Sequence, residues 1–121
     1  MTPFGEAVRA LRDRKGVTQK EMAAAIGVSP AYLSALEHGK RGKPSFELLQ
    51  RMAGYLNIIW DEAESLFALA GVSDPRVTLD TAGLPAAHTA FANRLAAMIR
   101  HLEPAVIEEM DAALQKAGKS G

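Results

Sequence analysis

The sequence predicts an all-α chain: five helices, then a linker, then a C-terminal helical hairpin. Three observations carry this prediction. Apolar residues recur at spacings of three and four along most of the 121 residues. Residues that cap helix N-termini stand directly before those stretches, and glycines stand directly after several of them. One stretch, residues 72–85, interrupts the pattern with Pro75, Gly83 and Pro85. The predicted organisation is therefore a helical domain over residues 1–71, a linker over 72–85 and a second helical region over 86–121.

The first helix runs from Phe4 to Lys15, with Phe4, Ala7, Val8 and Leu11 on one face, and Gly16 ends it. Thr18-Gln19-Lys20-Glu21 has the spacing of a capping box, so a second helix starts there, carries Met22, Ala23 and Ile26, and stops at Gly27. Ser29 caps a third helix with Pro30 at its first position. This helix places Tyr32, Leu33 and Leu36 on one side and ends at Gly39. After the basic turn Lys40-Arg41-Gly42-Lys43-Pro44, Ser45 caps a fourth helix with Phe46, Leu48, Leu49, Met52, Ala53 and Leu56. A fifth helix covers about Trp60 to Ala70, with Asp61, Glu62 and Glu64 near the start, where the helix dipole favours negative charge.

Within the linker, Val77 and Leu79 alternate with polar residues, which allows a short extended segment. A sixth helix from Ala86 carries Phe91, Leu95, Met98, Ile99 and Leu102. Pro104 breaks it or opens the next one. The seventh helix carries Val106, Ile107, Met110, Ala113 and Leu114, and residues 116–121 read as frayed.

Several function classes are excluded by residue types alone. The chain has no cysteine, which removes disulfides, thiolate zinc sites and a cysteine nucleophile. His38, His88 and His101 lack metal-ligand spacing, so no metal is expected. No nucleophile–base set, phosphate-cradling glycine loop or carboxylate pair stands out, so neither catalysis nor a cofactor is expected. No apolar run approaches the ~20 residues that span a bilayer. Met1-Thr2-Pro3-Phe4-Gly5-Glu6 does not read as a secretory signal. A cytoplasmic protein with no membrane partner is expected.

Net charge is zero, yet its distribution is not even. Residues 1–45 hold eight basic side chains (Arg9, Arg12, Arg14, Lys15, Lys20, Lys40, Arg41, Lys43) against four acidic ones (Glu6, Asp13, Glu21, Glu37). The remainder carries the compensating acidic excess. That asymmetry suggests a different partner for each half.

The basic half also holds the most informative joint. Two short helices meet at Ala25-Ile26-Gly27-Val28-Ser29, where the first ends at Gly27 and the second is capped two residues later. So tight a joint forces a steep interhelical angle and leaves the second helix exposed along one face, which is helix-turn-helix geometry. A helix so presented has the width to enter a DNA major groove. The residues around it, Thr18-Gln19-Lys20-Glu21-Met22-Ala23, Ile26-Gly27-Val28-Ser29, Tyr32-Leu33-Ser34, Leu36-Glu37-His38-Gly39 and Lys43-Pro44-Ser45, resemble the Cro/CI-type (XRE) helix-turn-helix family without a gap. The resemblance covers about residues 4–71 and implies a lambda-repressor-like DNA-binding domain of five helices.

It also implies roles. By resemblance the base-facing positions are Ser29, Pro30, Ala31, Ser34 and Ala35. None is long enough for the bidentate base contacts that Arg, Asn or Gln make, a departure from phage members with Gln there. Modest sequence discrimination follows, with help from DNA shape and bound water. Ser29 reads equally as a pure helix cap. Gln19 takes the family's phosphate-contacting position. Lys20, His38, Lys40, Arg41 and Lys43 flank the third helix as phosphate contacts, and Tyr32 either reaches a phosphate or packs under the basic turn. Ile26, Val28, Leu33 and Leu36 are core, Ala23 is small where helices cross, and Gly27 takes positive φ. Glu37 pairs with a base such as Arg12 or caps backbone amides.

The hairpin cannot bury both its faces alone. It folds back on the first domain or pairs with a second copy; the homodimer reading is favoured, with Phe91, Leu95, Met98, Leu102, Ile107 and Met110 at the interface of a four-helix bundle. The whole then reads as a dimeric transcriptional regulator, a repressor by family expectation, on an inverted-repeat operator. Two alternatives stand beside it: an antitoxin-type autoregulator that also binds a toxin, and a protein-interaction module that has lost DNA binding. An effector, small molecule or protein, is left open.

Overall fold

The computed structural model describes the backbone of residues 1–120 and the side chains of residues 1–118. Seven α-helices follow in chain order: α1 (Pro3–Lys15), α2 (Gln19–Ile26), α3 (Pro30–Glu37), α4 (Phe46–Tyr55), α5 (Trp60–Gly71), α6 (Ala86–Met98) and α7 (Pro104–Ser120). No strand occurs among the described residues. The chain divides into two compact units, residues 1–77 and residues 78 onward, with the seam inside the stretch read as linker.

In the first unit the caps act as their chemistry requires. Thr18 Oγ1 accepts from Glu21 N while Glu21 Oε1 accepts from Thr18 N, a complete capping box. Ser29 and Ser45 accept from the amides of Tyr32 and Leu48 and so start α3 and α4. Helix α2 ends with Gly27 at φ 81, and the Val28 amide reaches back to the Ala23 carbonyl. This is the hydrogen bond of a Schellman stop, whose left-handed residue a side chain would strain. Asn57 plays the same part after α4, at φ 59.

The apolar faces then close on one core, in which Phe4, Val8, Met22, Ala23, Leu33 and Met52 are fully enclosed. Ala23 is small where α2 meets its neighbours. Phe46 and Phe67 cap one edge with rings 5.7 Å apart in an edge-to-face pair. Residues 73–75 pack into this unit rather than spanning away from it. Ser73 Oγ accepts from the Phe4 amide and donates to the Leu69 carbonyl, and the Pro75 ring lies against Gly39.

The second unit differs from its sequence reading in two places. Helix α6 stops at Met98, not Leu102. Ile99–His101 form a 3-10 turn and Leu102 is extended. Pro104 keeps a helix from running on through Glu103, since its ring disfavours helical backbone at the residue before it, and it opens α7 as a first-turn proline. Helix α7 continues through Ser120, so the fraying read for 116–121 is corrected as far as the description goes; Gly121 lies outside the described residues. An i,i+4 bond from Gln115 Nε2 to Asp111 Oδ2 (2.9 Å) supports this last part of α7. The segment around Val77 and Leu79, where the sequence allows a short extended stretch, carries no regular secondary structure.

Two expectations follow. A Cβ at Gly5 would lie 2.1 Å from the Glu37 carbonyl oxygen, whereas one at Gly54, inside α4, meets nothing within 4 Å. Gly5→Ala should destabilise by about 1–3 kcal/mol or more, and Gly54→Ala should stabilise by ~0.5–1 kcal/mol. Thermal melts of the two variants decide; equal midpoints would remove the close approach of α1 to α3.

Arg14 and Glu62 join α1 to α5 through two hydrogen bonds of 2.8 and 2.9 Å. Those bonds hold the Glu62 carboxyl below its ordinary range, with desolvation opposing and charge attraction assisting. A lowered folded pKa contributes stability above the unfolded carboxylate pKa, and that contribution is lost as pH falls through the folded one. Glu62→Gln should therefore be slightly less stable than wild type at neutral pH, with the gap closing in acid. Urea titrations at several pH values measure it, and a gap that widens in acid contradicts the sign.

Candidate nucleic-acid interface

The orientation of α3 starts from one buried carboxylate. Glu37, the last residue of α3, is 0% exposed. Its Oε2 accepts from Arg12 Nη1 at 2.6 Å and from Gln19 Nε2 at 3.2 Å. Its backbone oxygen accepts from Thr2 N and Thr2 Oγ1 at 3.0 and 2.9 Å. One residue thus ties α3 to α1 and α2. The sequence pairing of Glu37 with Arg12 is what the structure has. Oε1 has no hydrogen-bond partner among the described residues.

With Leu33, Leu36 and Glu37 turned inward, the opposite side of α3 carries Ala31, Ser34, Ala35 and His38 at helical spacing. Ser29, Pro30 and Ala31 are exposed, and Ser34 and Ala35 are half-buried. The face is shallow and made of small side chains. The Ser29 hydroxyl oxygen is engaged as a cap, which leaves its O–H free to donate elsewhere.

The flanking residues divide into committed and free. Tyr32 takes the packed alternative: the Arg41 guanidinium lies over its ring, 5.7 Å from the centroid. Gln19 turns one amide hydrogen inward to Glu37, so only the rest of its amide faces outward. His38 Nδ1 lies 2.8 Å from the Ser34 carbonyl, so that nitrogen carries the hydrogen and Nε2 is left toward solvent. Lys20, Lys40, Arg41 and Lys43 are exposed. Other cations of the basic half are spent inside the protein: Arg12 on Glu37, Arg14 on Glu62, and Lys15 on the Tyr55 carbonyl (2.6 Å) and ring.

Sequence reasoning missed Arg51. It lies on α4, is exposed, and donates from Nη1 to the Ile26 carbonyl at 2.8 Å, at the joint between α2 and α3. Its signal was present: it is the one basic residue between Ser45 and Ser73, a stretch with four acidic residues, Glu47, Asp61, Glu62 and Glu64.

In the second unit, Phe91, Leu95, Met98, Leu102 and Met110 line one apolar groove, and Leu95, Ile99, Leu102, Ile107, Met110 and Leu114 line a second that shares three of these residues. No side chain of α6 is buried. Among the described residues no helix is long and apolar enough to cross a membrane, and no cluster of His, Asp and Glu forms a metal cage.

A helix-turn-helix family profile matches residues 8–61. An uncharacterized HTH-type transcriptional regulator of Bacillus subtilis, YazB, is 42% identical over 59 residues, which cover 49% of this chain and 84% of that protein. The chain belongs to the XRE-type helix-turn-helix family of transcriptional regulators. Two further relatives from Bacillus subtilis are longer. The HTH-type transcriptional regulator RghRB, itself uncharacterized, is 37% identical over 71 residues, 59% of this chain and 49% of that one. The HTH-type transcriptional repressor RghR is 39% identical over 61 residues, 50% of this chain and 45% of that one. The match thus spans about half the length of these two relatives. No solved structure matches the chain.

Replacing Glu37 tests how α3 is held. Glu37→Ala strands the Arg12 charge in the interior and should cost about 3–5 kcal/mol. Urea unfolding measures the loss; a cost below ~1 kcal/mol, the scale of exposed pairs, would show that the trio does not hold α3.

Proposed function

We propose that the chain is a DNA-binding transcriptional regulator, a repressor, that reads an inverted-repeat operator as a homodimer. The observation that carries this reading is the outer face of α3, which follows α2 across the tight Gly27–Ser29 turn, together with the exposed Lys20, Lys40, Arg41 and Lys43. Family membership supports the DNA role, and the repressor among the relatives supports the direction of control.

In this reading Ser29, Pro30, Ala31, Ser34 and Ala35 face the bases. Hydroxyls donate to or accept from base edges, and Ala and Pro contact thymine methyls. No side chain there makes a bidentate base contact, so discrimination per half-site is modest and two half-sites are needed. Lys20, Lys40, Arg41 and Lys43 neutralise phosphates, joined by the outward part of Gln19. Tyr32 contributes by holding Arg41. His38 presents Nε2, which donates to a phosphate only when the ring is protonated.

The second unit supplies the pairing. With no buried side chain on α6 and two adjoining apolar grooves, it gains a core by meeting a second copy in a four-helix bundle. Phe91, Leu95, Met98, Leu102, Ile107 and Met110 form that contact. The stretch read as linker, residues 72–85, then separates reading from pairing only beyond Pro75, since Ser73 and Pro75 pack into the first unit. The shallow α3 face favours one second reading, a protein-interaction module that keeps the fold without DNA binding.

Selection from random duplexes, followed by salt titration of the enriched sites, tests both. The regulator yields an inverted repeat whose affinity falls steeply with salt. Leu95→Asp should convert a dimer to a monomer in sedimentation and weaken binding to the paired site by about a hundredfold or more, about 3 kcal/mol lost with the second half-site. No enrichment and no low-salt binding would favour the interaction module. Wild-type monomer at tens of micromolar would remove the hairpin dimer.

A further inference from the structure

The reading above leaves α3 without a long side chain near its start, and Arg51 stands beside that start. Its Nη1 donates to Ile26 O, one of the carbonyls a helix leaves without an internal partner at its C-terminus. A guanidinium is favoured there by the helix dipole. Gly27 makes room, since a Cβ on that residue would stand 3.3 Å from Nη1. The side chain is thereby fixed at the turn of the helix-turn-helix.

Most of its bonding capacity is unspent. A guanidinium has five N–H donors, and among the described residues Ile26 O is the one acceptor that Arg51 has. It makes no ion pair there either, although acidic residues surround it in sequence. Arg51 lines an open cleft between the starts of α3 and α4 with Val28, Ser29, Tyr32, Ser45 and Leu48. Val28 and Leu48 are apolar, and the two serine hydroxyls accept cap bonds. The guanidinium is the cleft's positive charge, and it has an edge to spare.

We propose that Arg51 is a phosphate-binding residue of the DNA interface. It holds a backbone phosphodiester at the cleft with its free edge while Nη1 keeps the α2–α3 turn in place. The planar fork suits both tasks at once, which an ammonium point charge does not. Because the side chain is already anchored, little rotamer entropy is lost when the phosphate arrives. The inference rests on the DNA-binding reading and adds a contact from α4, outside the residues that sequence assigns.

The test is the salt dependence of duplex binding by the full chain, with Arg51→Gln and Arg51→Lys. Arg51→Gln keeps a polar side chain but removes the charge. Its log-affinity against log-salt slope should be shallower by about 0.9, and affinity at moderate salt should fall about tenfold. Arg51→Lys should keep the wild-type slope while binding more weakly. Thermal melts accompany each variant, so that a folding loss is seen as such. An unchanged slope in Arg51→Gln, with wild type binding normally, overturns the phosphate role whatever the change in affinity. Wild type that binds no duplex at low salt overturns the DNA reading itself, and this proposal with it.

Discussion

The first unit depends on a carboxylate that has no access to water. Glu37 holds a guanidinium from α1 and an amide from α2 on one oxygen, and its backbone oxygen takes both donors of Thr2. These bonds are directional, unlike the apolar contacts around them. Leu33 and Leu36 bring α3 to the core, but many rotations of α3 would bury them about equally well. The trio selects one. Leaving Oε1 without a partner makes the arrangement costly compared with an apolar substitute of the same volume. We read it as orientation obtained at the expense of stability. The absent Cβ of Gly5 belongs to the same arrangement, because it lets α1 come up to the Glu37 carbonyl.

Fixing α3 from behind decides what remains in front. Everything long or charged on its inner side is consumed, and the outer side is left with two alanines, a serine and, at its end, His38. Affinity must then come from around the helix. The structure also revises what the charge split means. Arg12, Arg14 and Lys15 are tied to Glu37, Glu62 and Tyr55, so the basic excess of the first 45 residues is not a free field. Lys20, the turn Lys40–Lys43 and Arg51 on the neighbouring helix are exposed, as is Arg9 on α1. A net charge therefore locates an interface only after internal partners are subtracted.

The second unit poses the opposite problem. Two amphipathic helices joined through a proline make a pair whose apolar side chains remain largely in contact with solvent. A hairpin has too little interior to enclose Phe91, Met98 and Ile107 by itself. Leu102, extended before Pro104, separates the two helices, and Met110 of α7 shares a groove with Phe91, Leu95 and Met98 of α6.

By itself the sequence determined the local structure: the seven helices, the caps at Thr18, Ser29 and Ser45, the glycine stops and the helix-turn-helix joint. For Glu37 it left two roles open, a pair with a base such as Arg12 or a cap on backbone amides, and the fold decides for Arg12 across 25 positions. The helices, caps and stops arise from bonds between residues three to five apart, so neighbours in sequence suffice to specify them. Tertiary structure alone decided the rest. Ser73 meets Phe4 across 69 positions, and Arg51 meets Ile26 across 25. Tyr32 lies beneath the Arg41 guanidinium of the basic turn, and Gln19 gives an amide hydrogen to the buried Glu37. Such choices depend on which surfaces the folded core brings within about 3 Å of one another for a hydrogen bond to form, and no local pattern carries that distance.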